Sequence, residues 1–510
     1  MPYHHLDLTG SAAQTKLADR LAALRTEFEL PSSFPEEVVR EAEQAAAAVV
    51  QDLPAADRTD LPLVTIDPPG STDLDQALHI QSGAEGHPDG FTVHYAIADV
   101  PAFITLGGPL DAETMQRGQT VYLPDGRVPL HPDVIGEDAG SLLPDQDRGA
   151  YLWTFGLDAA GAVVDTALQR ATVRSRAQLT YEQAQQVIED PDAGSPAGAP
   201  ALGEAEIATL TLLREVGLLR IEQESARGGA SLNLPEQEIV ATEDGYDLVA
   251  DPPLPVEDWN AQISLMTGMA AAQIMLNGKV GILRTMPDAD EQSEARFRAR
   301  TVALGHPWEK GTPYGQYLRG LNTTDPQHLA IMHAATSLFR GAGYTAFDGE
   351  LPEVTTQAAI AAPYAHTTAP LRRLVDRFVL QVCLVLVDGR EVPPELRERL
   401  SELPEAMKSS GSVASRVENA ALDLIQTAEL AGHEGEHFSA VVVSAPTPEQ
   451  VEKAQAEDRL PYGEVQLEDP PVLGRYEGHA EAGQAVTVEL VSADLEKRTV
   501  LFHLVQDSAD

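Results

Sequence analysis

The spacing of apolar residues changes twice along this chain of 510 residues, and the changes divide it into three units. In residues 1–60, Leu17, Leu21 and Leu24 recur at helical spacing and an alanine-rich run follows a proline, which predicts a small helical domain. Residues 61–436 mix short Val/Ile/Thr runs with helical patterns, as in a mixed α/β body. In residues 437–510, apolar and polar side chains alternate between Gly/Pro turns, which predicts a small β-barrel.

The cysteine content and the lengths of the apolar stretches indicate the cellular compartment of the protein. Cys383 is the only cysteine, so no internal disulfide can form, and no Cys/His spacing suits a structural zinc site. The first residues, MPYHHLDLTG, lack the basic and apolar segments of a secretory signal. The longest apolar stretch, near residues 378–387, is shorter than the roughly 18 residues that a membrane span needs. We therefore expect a cytoplasmic protein with no membrane partner.

The net charge restricts the choice of partner. Lys and Arg number 35 against 79 Asp and Glu, which gives a formal charge of −44. Because phosphate groups bind where the local field is positive, a nucleic-acid partner would have to enter a sheltered groove while the outer surface stays acidic. An enzyme that acts on a small molecule and a salt-adapted surface are the alternatives. Composition alone does not choose among them.

The densest group of chemically useful residues follows the strand-like run LPLVTI. Asp67, Asp73 and Asp75 lie within nine residues, in a loop that two prolines and a glycine bend. Mg²⁺ prefers oxygen ligands, and such ions can activate water and stabilise a leaving oxygen during phosphodiester hydrolysis. A solvated acidic turn is the alternative, and it is favoured when these three residues are considered alone in so acidic a chain.

Eight sequence blocks extend this observation. They are DLPLVTIDPPGSTDLDQAL, VHYAIADVPAFITLGGPLDAETMQRGQTVYLPDGRVPLHP, GSLLPDQDR, ATVRSRAQLTYEQA, GGASLNLPEQEIV, PVEDWNAQISLMTGMAAAQIM, YAHTTAPLRRLVDRFV and VENAALDL. In this order they resemble the RNase II/RNase R (RNB) family of 3′-to-5′ exoribonucleases, over roughly residues 50–430. The resemblance implies a mixed α/β RNB catalytic domain and a C-terminal RNA-binding barrel of the OB type.

The resemblance also implies an activity. It is Mg²⁺-dependent, with one or two ions, and it degrades single-stranded RNA processively by hydrolysis to nucleoside 5′-monophosphates; structured RNA with a 3′ overhang is a further candidate substrate. Asp67, Asp73 and Asp75 would hold the metal, with Asp75 the most important, and Arg372 would contact the scissile phosphate. A helix cap and a surface salt bridge are the structural alternatives. The family pattern ends in two adjacent aspartates, but Gln76 follows Asp75 here, which weakens the charge available to a metal.

Three further residues match family positions that contact RNA. Tyr122 corresponds to a tyrosine that stacks on the terminal nucleotides, for which a core tyrosine is the alternative. Arg373 is a second candidate for phosphate contact, and Glu418 matches an acidic residue that helps to grip the 3′ end. Glu418 could equally belong to a solvated helix face. His366 has no partner at ligand spacing, so we expect a structural role for it.

The two ends of the chain depart from the family pattern. Members commonly carry two cold-shock barrels before the catalytic body, whereas residues 1–60 read as helices with 5 basic and 11 acidic side chains. A helix-turn-helix-like unit that guides RNA and a unit that packs on the body are both open. Residues 438–510 hold 5 basic and 14 acidic side chains, so RNA contact should be weak or confined to one face. An RNA-binding regulator that has lost catalysis is the competing function.

Overall fold

A closed barrel of five strands forms the body of the protein. The computed structural model describes residues 11–230, 236–242, 245–251, 253–322, 325–338 and 340–505. The barrel strands are β1 (Leu63–Ile66), β2 (Gln76–Ala84), β3 (His87–Ala98), β6 (Asp147–Leu157) and β7 (Val163–Leu179). They are joined antiparallel in the order β1-β2-β3-β6-β7, and a parallel pairing of β1 with β7 closes the barrel. Closure leaves no open sheet edge in this part of the molecule.

Aromatic side chains on the barrel strands pack against the surrounding helices. Tyr95 on β3 lies directly opposite Trp153 on β6, and both side chains are fully buried together with Phe155. The rings of Trp153 and Phe155 are stacked, with their centroids 5.9 Å apart. Because inward-facing positions alternate along each strand, the side chains of these residues build one continuous core with the helices outside.

Five helices surround this barrel and share its core. The first of them begins where Thr180 and Gln183 form a capping box, in which each side chain satisfies a free backbone N–H group of the other. The helices are α4 (Tyr181–Glu189), α5 (Glu204–Arg227), α6 (Pro255–Gly278), α10 (Leu374–Val387) and α11 (Pro394–Leu430).

Smaller elements connect or flank the barrel. One hairpin, β4 (Val121–Leu123) with β5 (Gly126–Val128), follows helix α3 (Pro109–Arg117). The other two-stranded units pair β8 (Glu236–Thr242) with β9 (Gly245–Asp251), β10 (Val280–Thr285) with β11 (Gly343–Asp348), and β12 (Thr356–Gln357) with β13 (Ala362–Pro363). Helices α7 (Glu291–Ala303), α8 (Tyr314–Arg319) and α9 (Pro326–Ala335) lie between β10 and β11 in the sequence.

The N-terminal unit consists of helices α1 (Ser11–Glu27) and α2 (Glu36–Val49), as predicted. Leu17, Leu21 and Leu24 of α1 are buried in one core with the β4–β5 hairpin, α11 and the C-terminal barrel. By contrast, α2 packs in a separate core against α3 and the turn 134–139. Both helices therefore pack on the body of the protein, each in a different place.

The C-terminal strands close a second barrel. Its strands are β14 (His437–Ser444), β15 (Tyr462–Leu467), β16 (Leu473–Glu477), β17 (Ala485–Asp494) and β18 (Thr499–Leu504), in the order β14-β15-β16-β18-β17. Helix α12 (Pro448–Ala456) lies between the first two strands, in the segment where the sequence departs from the family pattern. The predicted fold class, a mixed α/β domain with N-terminal helices and a C-terminal barrel, is confirmed. No helix among the described residues has the length and apolar character to cross a bilayer.

Candidate active site

The loop that carries the predicted aspartates closes one end of the first barrel. It leaves β1 after Ile66, turns at Gly70 in the left-handed region (φ 78°), and enters β2 at Gln76. Ser141 fastens the loop, because its hydroxyl accepts a hydrogen bond from the Leu74 N–H group at 2.9 Å and donates one to the Thr72 carbonyl oxygen at 2.7 Å. The aspartates therefore stand on a loop that is held at both ends and in the middle.

Asp75 is the most deeply buried of the three aspartates, with 2% of its surface exposed. Its Oδ1 atom accepts a hydrogen bond from the Leu371 N–H group at 2.7 Å, whereas its Oδ2 atom is buried without a hydrogen-bond donor. The Nε atom of Arg372 lies 3.6 Å from this Oδ2 atom. Burial raises the pKa of Asp75 to about 8, although the positive charge of Arg372 opposes the shift.

Asp67, like Asp75, has a buried carboxylate oxygen that is poorly satisfied by hydrogen bonds. Its Oδ2 atom is buried and accepts no well-aligned hydrogen bond, although, against the larger effect of burial, the nearby Thr65 hydroxyl lowers the pKa of the carboxyl. Burial raises the pKa of Asp67 to about 6, with Arg372 lowering it and Asp73 raising it. Two buried carboxylate oxygens without donors are costly unless a cation neutralises them, so this donor set fits a divalent metal ion. Asp67 and Asp75 would hold the ion.

Asp73 is in a different situation, because it already has a cation. The Nη1 atom of Arg127 lies 2.6 Å from its Oδ1 atom, and the hydroxyl of Tyr122 donates to its Oδ2 atom at 3.1 Å. Tyr122 is 49% exposed, so it is not a core residue. The same guanidinium donates to the Thr72 hydroxyl at 2.8 Å and pairs with Glu137 at 2.5 Å.

The structure brings the three aspartates into electrostatic contact but does not gather them around one point. Asp67 and Asp75 both experience the charge of Asp73. In the described part of the chain, one group of His, Cys, Asp or Glu has three ligand atoms within 4.8 Å of one another, and it is His306, Asp325 and His328. The aspartate loop does not meet this criterion.

Hydrogen bonds account for the histidine group. The Asn322 N–H group donates to Nδ1 of His328 at 3.0 Å, so a neutral His328 carries its proton on Nε2 and donates it to Nδ1 of His306, also at 3.0 Å. Asp325 caps helix α9 by accepting from two backbone N–H groups. A protonated Nε2 atom cannot bind a metal, so we do not assign a metal site here.

Gln76, the departure from the family pattern, faces hydroxyl groups. Its Oε1 atom accepts hydrogen bonds from the hydroxyls of Tyr95 and, at 3.2 Å, Ser264. The two hydroxyls lie 2.7 Å apart, so the three side chains form a closed polar group at the start of β2. The amide oxygen that could have served a metal is thus engaged by two donors.

Arg372 and Arg373 point to different partners. Arg372 is partly exposed, and its recorded ion pair is with Asp75. Arg373 places Nε and Nη2 on the two carboxylate oxygens of the fully buried Asp376, at 3.0 and 2.7 Å. This fork fixes the start of α10, because Asp376 also accepts from the Ala369 N–H group at 2.7 Å. Arg372 is therefore the available cation of the pair.

Two other predicted positions lie away from the carboxylates. His366 is partly buried, with its Nδ1 atom 2.7 Å from the Tyr344 hydroxyl, and desolvation lowers its pKa well below the usual value, which favours the neutral form. Glu418 is exposed on α11, and its neighbour Asn419 lines a cavity of about 1070 Å³ between α11 and the C-terminal barrel.

Arg127 and Glu137 were not singled out from the sequence. A basic residue paired with an acidic one 10 positions later is too common a pattern to mark a site.

Comparison with known families decides what kind of site this is. Residues 56–386 match the RNB domain, and residues 436–505 match the C-terminal S1 domain of RNase II-type exonucleases. The chain belongs to the RNB family. The predicted RNB-type exoribonuclease with an OB-type C-terminal barrel is confirmed at this level.

Relatives of this RNB chain include active and inactive nucleases. It is 25% identical to ribonuclease R of Aquifex aeolicus over 513 residues, which covers 94% of this chain and 69% of the relative. It is 28% identical over 356 residues to an Arabidopsis thaliana protein named inactive exonuclease DIS3L2, covering 66% of this chain and 33% of that protein. The fold resembles that of Mycoplasma genitalium RNase R. The structure of that protein with ribose-methylated single-stranded RNA has a TM-score of 0.81 and 18% identity, and the match covers 96% of this chain and 78% of that chain. Its structure with double-stranded RNA has a TM-score of 0.80 and 19% identity, and the match covers 96% of this chain and 83% of that chain.

Proposed function

We propose that this RNB chain is a Mg²⁺-dependent hydrolase that removes nucleoside 5′-monophosphates processively from the 3′ end of single-stranded RNA. One observation carries the proposal: the Oδ2 atoms of Asp67 and Asp75 are buried without donors beside the partly exposed Arg372. Two buried carboxylate oxygens without hydrogen-bond donors, next to an arginine that solvent reaches, suit a metal-dependent phosphodiesterase.

The aspartates and Arg372 have different roles in the proposed hydrolysis. Mg²⁺, when bound, supplies a Lewis acid that activates water and stabilises the leaving oxygen. Asp67 and Asp75 hold the ion, and the bond from the Leu371 N–H group keeps Asp75 in one orientation. Arg372 presents a planar set of donors that can stabilise negative charge on the phosphate oxygens during displacement.

Tyr122 provides the contact to the terminal nucleotides. Its ring is half-exposed and its hydroxyl is fixed on Asp73, so the ring lies beside the carboxylate loop. Stacking on an aromatic ring is worth about 1–3 kcal/mol per base and does not depend on base identity. This suits an enzyme that must shift along RNA of any sequence.

The C-terminal barrel offers RNA arginine and tyrosine side chains in a cavity of mixed charge, because Asp423, Glu464, Glu468 and Glu477 line it beside three arginines. In a barrel of net negative charge, Tyr462, Arg459, Arg475 and Arg498 line the same cavity of about 1070 Å³. The guanidinium carbons of Arg475 and Arg459 lie 4.4 and 5.7 Å from the centre of the Tyr462 ring. Arginine beside an exposed ring is a common arrangement for binding single-stranded RNA.

We place the activity in the cytoplasm. The single cysteine, Cys383, is buried and free, and burial raises its thiol pKa well above the usual value. A chain without disulfides suits a reducing compartment, where RNA turnover occurs.

The test uses labelled poly(A). With Mg²⁺ we expect a ladder that shortens from the 3′ end, release of labelled AMP, and a short end product. EDTA should abolish all three. Release of nucleoside diphosphates in phosphate buffer, or digestion that starts from the 5′ end, would contradict the proposal.

A second function is an RNA-binding regulator without catalysis. Gln76 favours it, because this side chain replaces a carboxylate and its oxygen is engaged by Tyr95 and Ser264. One relative is named as an inactive exonuclease, which supports a loss of catalysis and says nothing of regulation. The same assay separates the two functions, since a regulator would bind poly(A) and leave its length unchanged.

A further inference from the structure

Arg127 neutralises carboxylates that the active site would otherwise offer to metal. We propose that Arg127 is a built-in cation that takes the place of a second metal ion, so that the site binds one divalent ion, between Asp67 and Asp75. The inference rests on the proposed function, which it refines by setting the number of ions and the residue that determines it.

The contacts of Arg127 satisfy two carboxylates at once. Its Nη1 atom is 2.6 Å from Asp73, and its Nη2 atom is 2.5 Å from Glu137 and 2.8 Å from the Thr72 hydroxyl. The Thr72 hydroxyl in turn donates to the other oxygen of Glu137 at 2.9 Å. A guanidinium with fixed, planar donors is suited to bridging two anions in this way.

The elements around Arg127 hold it in place. It lies directly opposite Tyr122 in the β4–β5 hairpin, whose turn carries Gly126 at φ 139°. Val121, Leu123 and Val128 anchor the hairpin in the core, and Asp125 in the turn pairs with Arg25 of α1 at 2.7 Å. Glu137 stands on a π-helical turn, Val134–Ala139. Such turns occur frequently at functional sites.

The balance of charge around the loop then favours one ion. Asp67, Asp73, Asp75 and Glu137 supply up to four negative charges, Arg127 and Arg372 supply two positive charges, and Gln76 contributes none. The unpartnered buried oxygens are those of Asp67 and Asp75, and both lie within reach of the field of Arg372. The three aspartates together do not present three ligand atoms within 4.8 Å of one another, so Asp73 is not gathered with the other two around one ion. A single divalent ion would balance the remaining negative charge.

The experiment counts bound ions in the absence of RNA. Full-length protein freed of metal is titrated with Mn²⁺ at an ionic strength of about 0.15 M, which screens weak surface binding. Calorimetry and the EPR signal of free Mn²⁺ give the number and affinity of the ions. Only ions that the wild-type protein binds and the Asp75→Asn variant does not bind are assigned to the active site.

We expect one such ion in the wild-type protein. Arg127→Gln frees Asp73 and Glu137 and should bind a second ion, whereas Arg127→Lys keeps the charge and should bind one. Arg390→Gln, which removes an exposed arginine paired with Asp388 at the far end of α10, should also bind one. Circular dichroism and thermal melting establish that each variant is folded.

Two results would overturn the inference. One is a wild-type count of two ions lost with Asp75→Asn, which requires no variant of Arg127. The other is a folded Arg127→Gln protein with the count and affinity of the wild type. Failure of the proposed function would give a different result. A protein that binds one Mn²⁺ ion but leaves poly(A) intact would refute the hydrolase activity and would not refute the number of bound ions.

Discussion

The amide oxygen of Gln76 accepts a hydrogen bond from the buried hydroxyl of Tyr95, so the residue that departs from the family pattern belongs to a polar group between the barrel and helix α6. Ser264, from helix α6, donates to the same oxygen. Gln76 thus links the aspartate loop to the helix that covers the barrel. Its substitution has a structural effect as well as an electrostatic one.

The first prediction concerns this residue. Gln76→Asp adds a negative charge beside Asp75 and should lower the Mg²⁺ concentration needed for half-maximal hydrolysis. The shorter side chain withdraws the amide oxygen, and because the hydroxyls of Tyr95 and Ser264, 2.7 Å apart, can share only one hydrogen bond, one of them loses its acceptor. We therefore expect a loss of about 1–3 kcal/mol in unfolding free energy. Metal titrations of activity and urea melts give the two values.

Gln76→Ala is the matched control, because it removes the acceptor and adds no charge. It should lose stability to a similar extent without changing the Mg²⁺ requirement. If Gln76→Asp lost activity at every Mg²⁺ concentration while remaining folded, Gln76 would have a role in hydrolysis of its own.

Asp75→Asn should abolish hydrolysis and spare RNA binding. The change removes the charge that would hold the metal and the ion pair with Arg372, but it leaves Tyr122 and the arginines of the C-terminal barrel untouched. We expect a fall in kcat of at least about 10²-fold, the size seen when one strong electrostatic contributor is lost. Poly(A) degradation and filter binding measure the two properties.

Asp388→Asn is the control for that change, since Asp388 is an exposed aspartate paired with Arg390 at the end of α10. It should leave turnover unchanged. Near-normal turnover of Asp75→Asn would mean that the metal-site assignment is wrong.

Tyr122→Ala should lengthen the final product. Without the ring, the last few nucleotides lose stacking worth about 1–3 kcal/mol per base and dissociate earlier. Tyr122→Phe keeps the ring and loses the bond to Asp73, so its end product should match that of the wild type. High-resolution gels of the end products compare all three proteins, and an unchanged product from Tyr122→Ala would refute the stacking role.

The metal-free protein should become less stable as pH rises. Burial raises the pKa of Asp67 to about 6 and that of Asp75 to about 8, so between about pH 4 and 8 the native state binds more protons than the unfolded chain. The unfolding free energy therefore falls across this window. In EDTA we expect a lower Tm at pH 8 than at pH 5, and Mg²⁺ should recover most of the difference.

The same measurement on Asp75→Asn provides the control. Asparagine does not titrate, so the Tm of this variant in EDTA should depend less on pH than that of the wild type. Equal pH dependence in the two proteins would show that Asp75 is not the group responsible.

How far the site could be predicted depends on the range of each contact. The aspartates of one loop and the arginine of a short motif are local in sequence, so residues 67–75 and Arg372 could be named before the fold was known. The partner of Asp73 could not, because Arg127 reaches it only after a hairpin 54 residues away packs against the loop. Gln76 meets Ser264 across 188 residues, a contact that follows from the packing of α6 on the barrel.

The fold shows the same division. Helices α1 and α2 could be predicted from spacing, but the separate cores in which they lie could not, since each is built from distant segments. The parallel pairing of β1 with β7, which closes the first barrel, joins residues more than 100 positions apart. No periodicity within either strand encodes such a pairing.

The last prediction concerns structured RNA. In the family, cold-shock barrels commonly stand before the catalytic body, whereas here helices α1 and α2 occupy the N-terminal unit, and α1 is tied to the C-terminal barrel by ion pairs of Glu27 with Arg498 and Arg20 with Glu496. Mycoplasma genitalium RNase R, which shares this fold, has been solved with double-stranded RNA. We expect residues 1–60, as helices rather than barrels, to enclose an RNA strand less tightly than cold-shock barrels would, so that degradation of a hairpin with a long 3′ tail stops at or inside the stem. Both ends of the chain are acidic and repel a duplex, so raising the salt concentration within the range that preserves activity should move the stop deeper. A stop many nucleotides before the stem would show instead a channel that admits single strands alone.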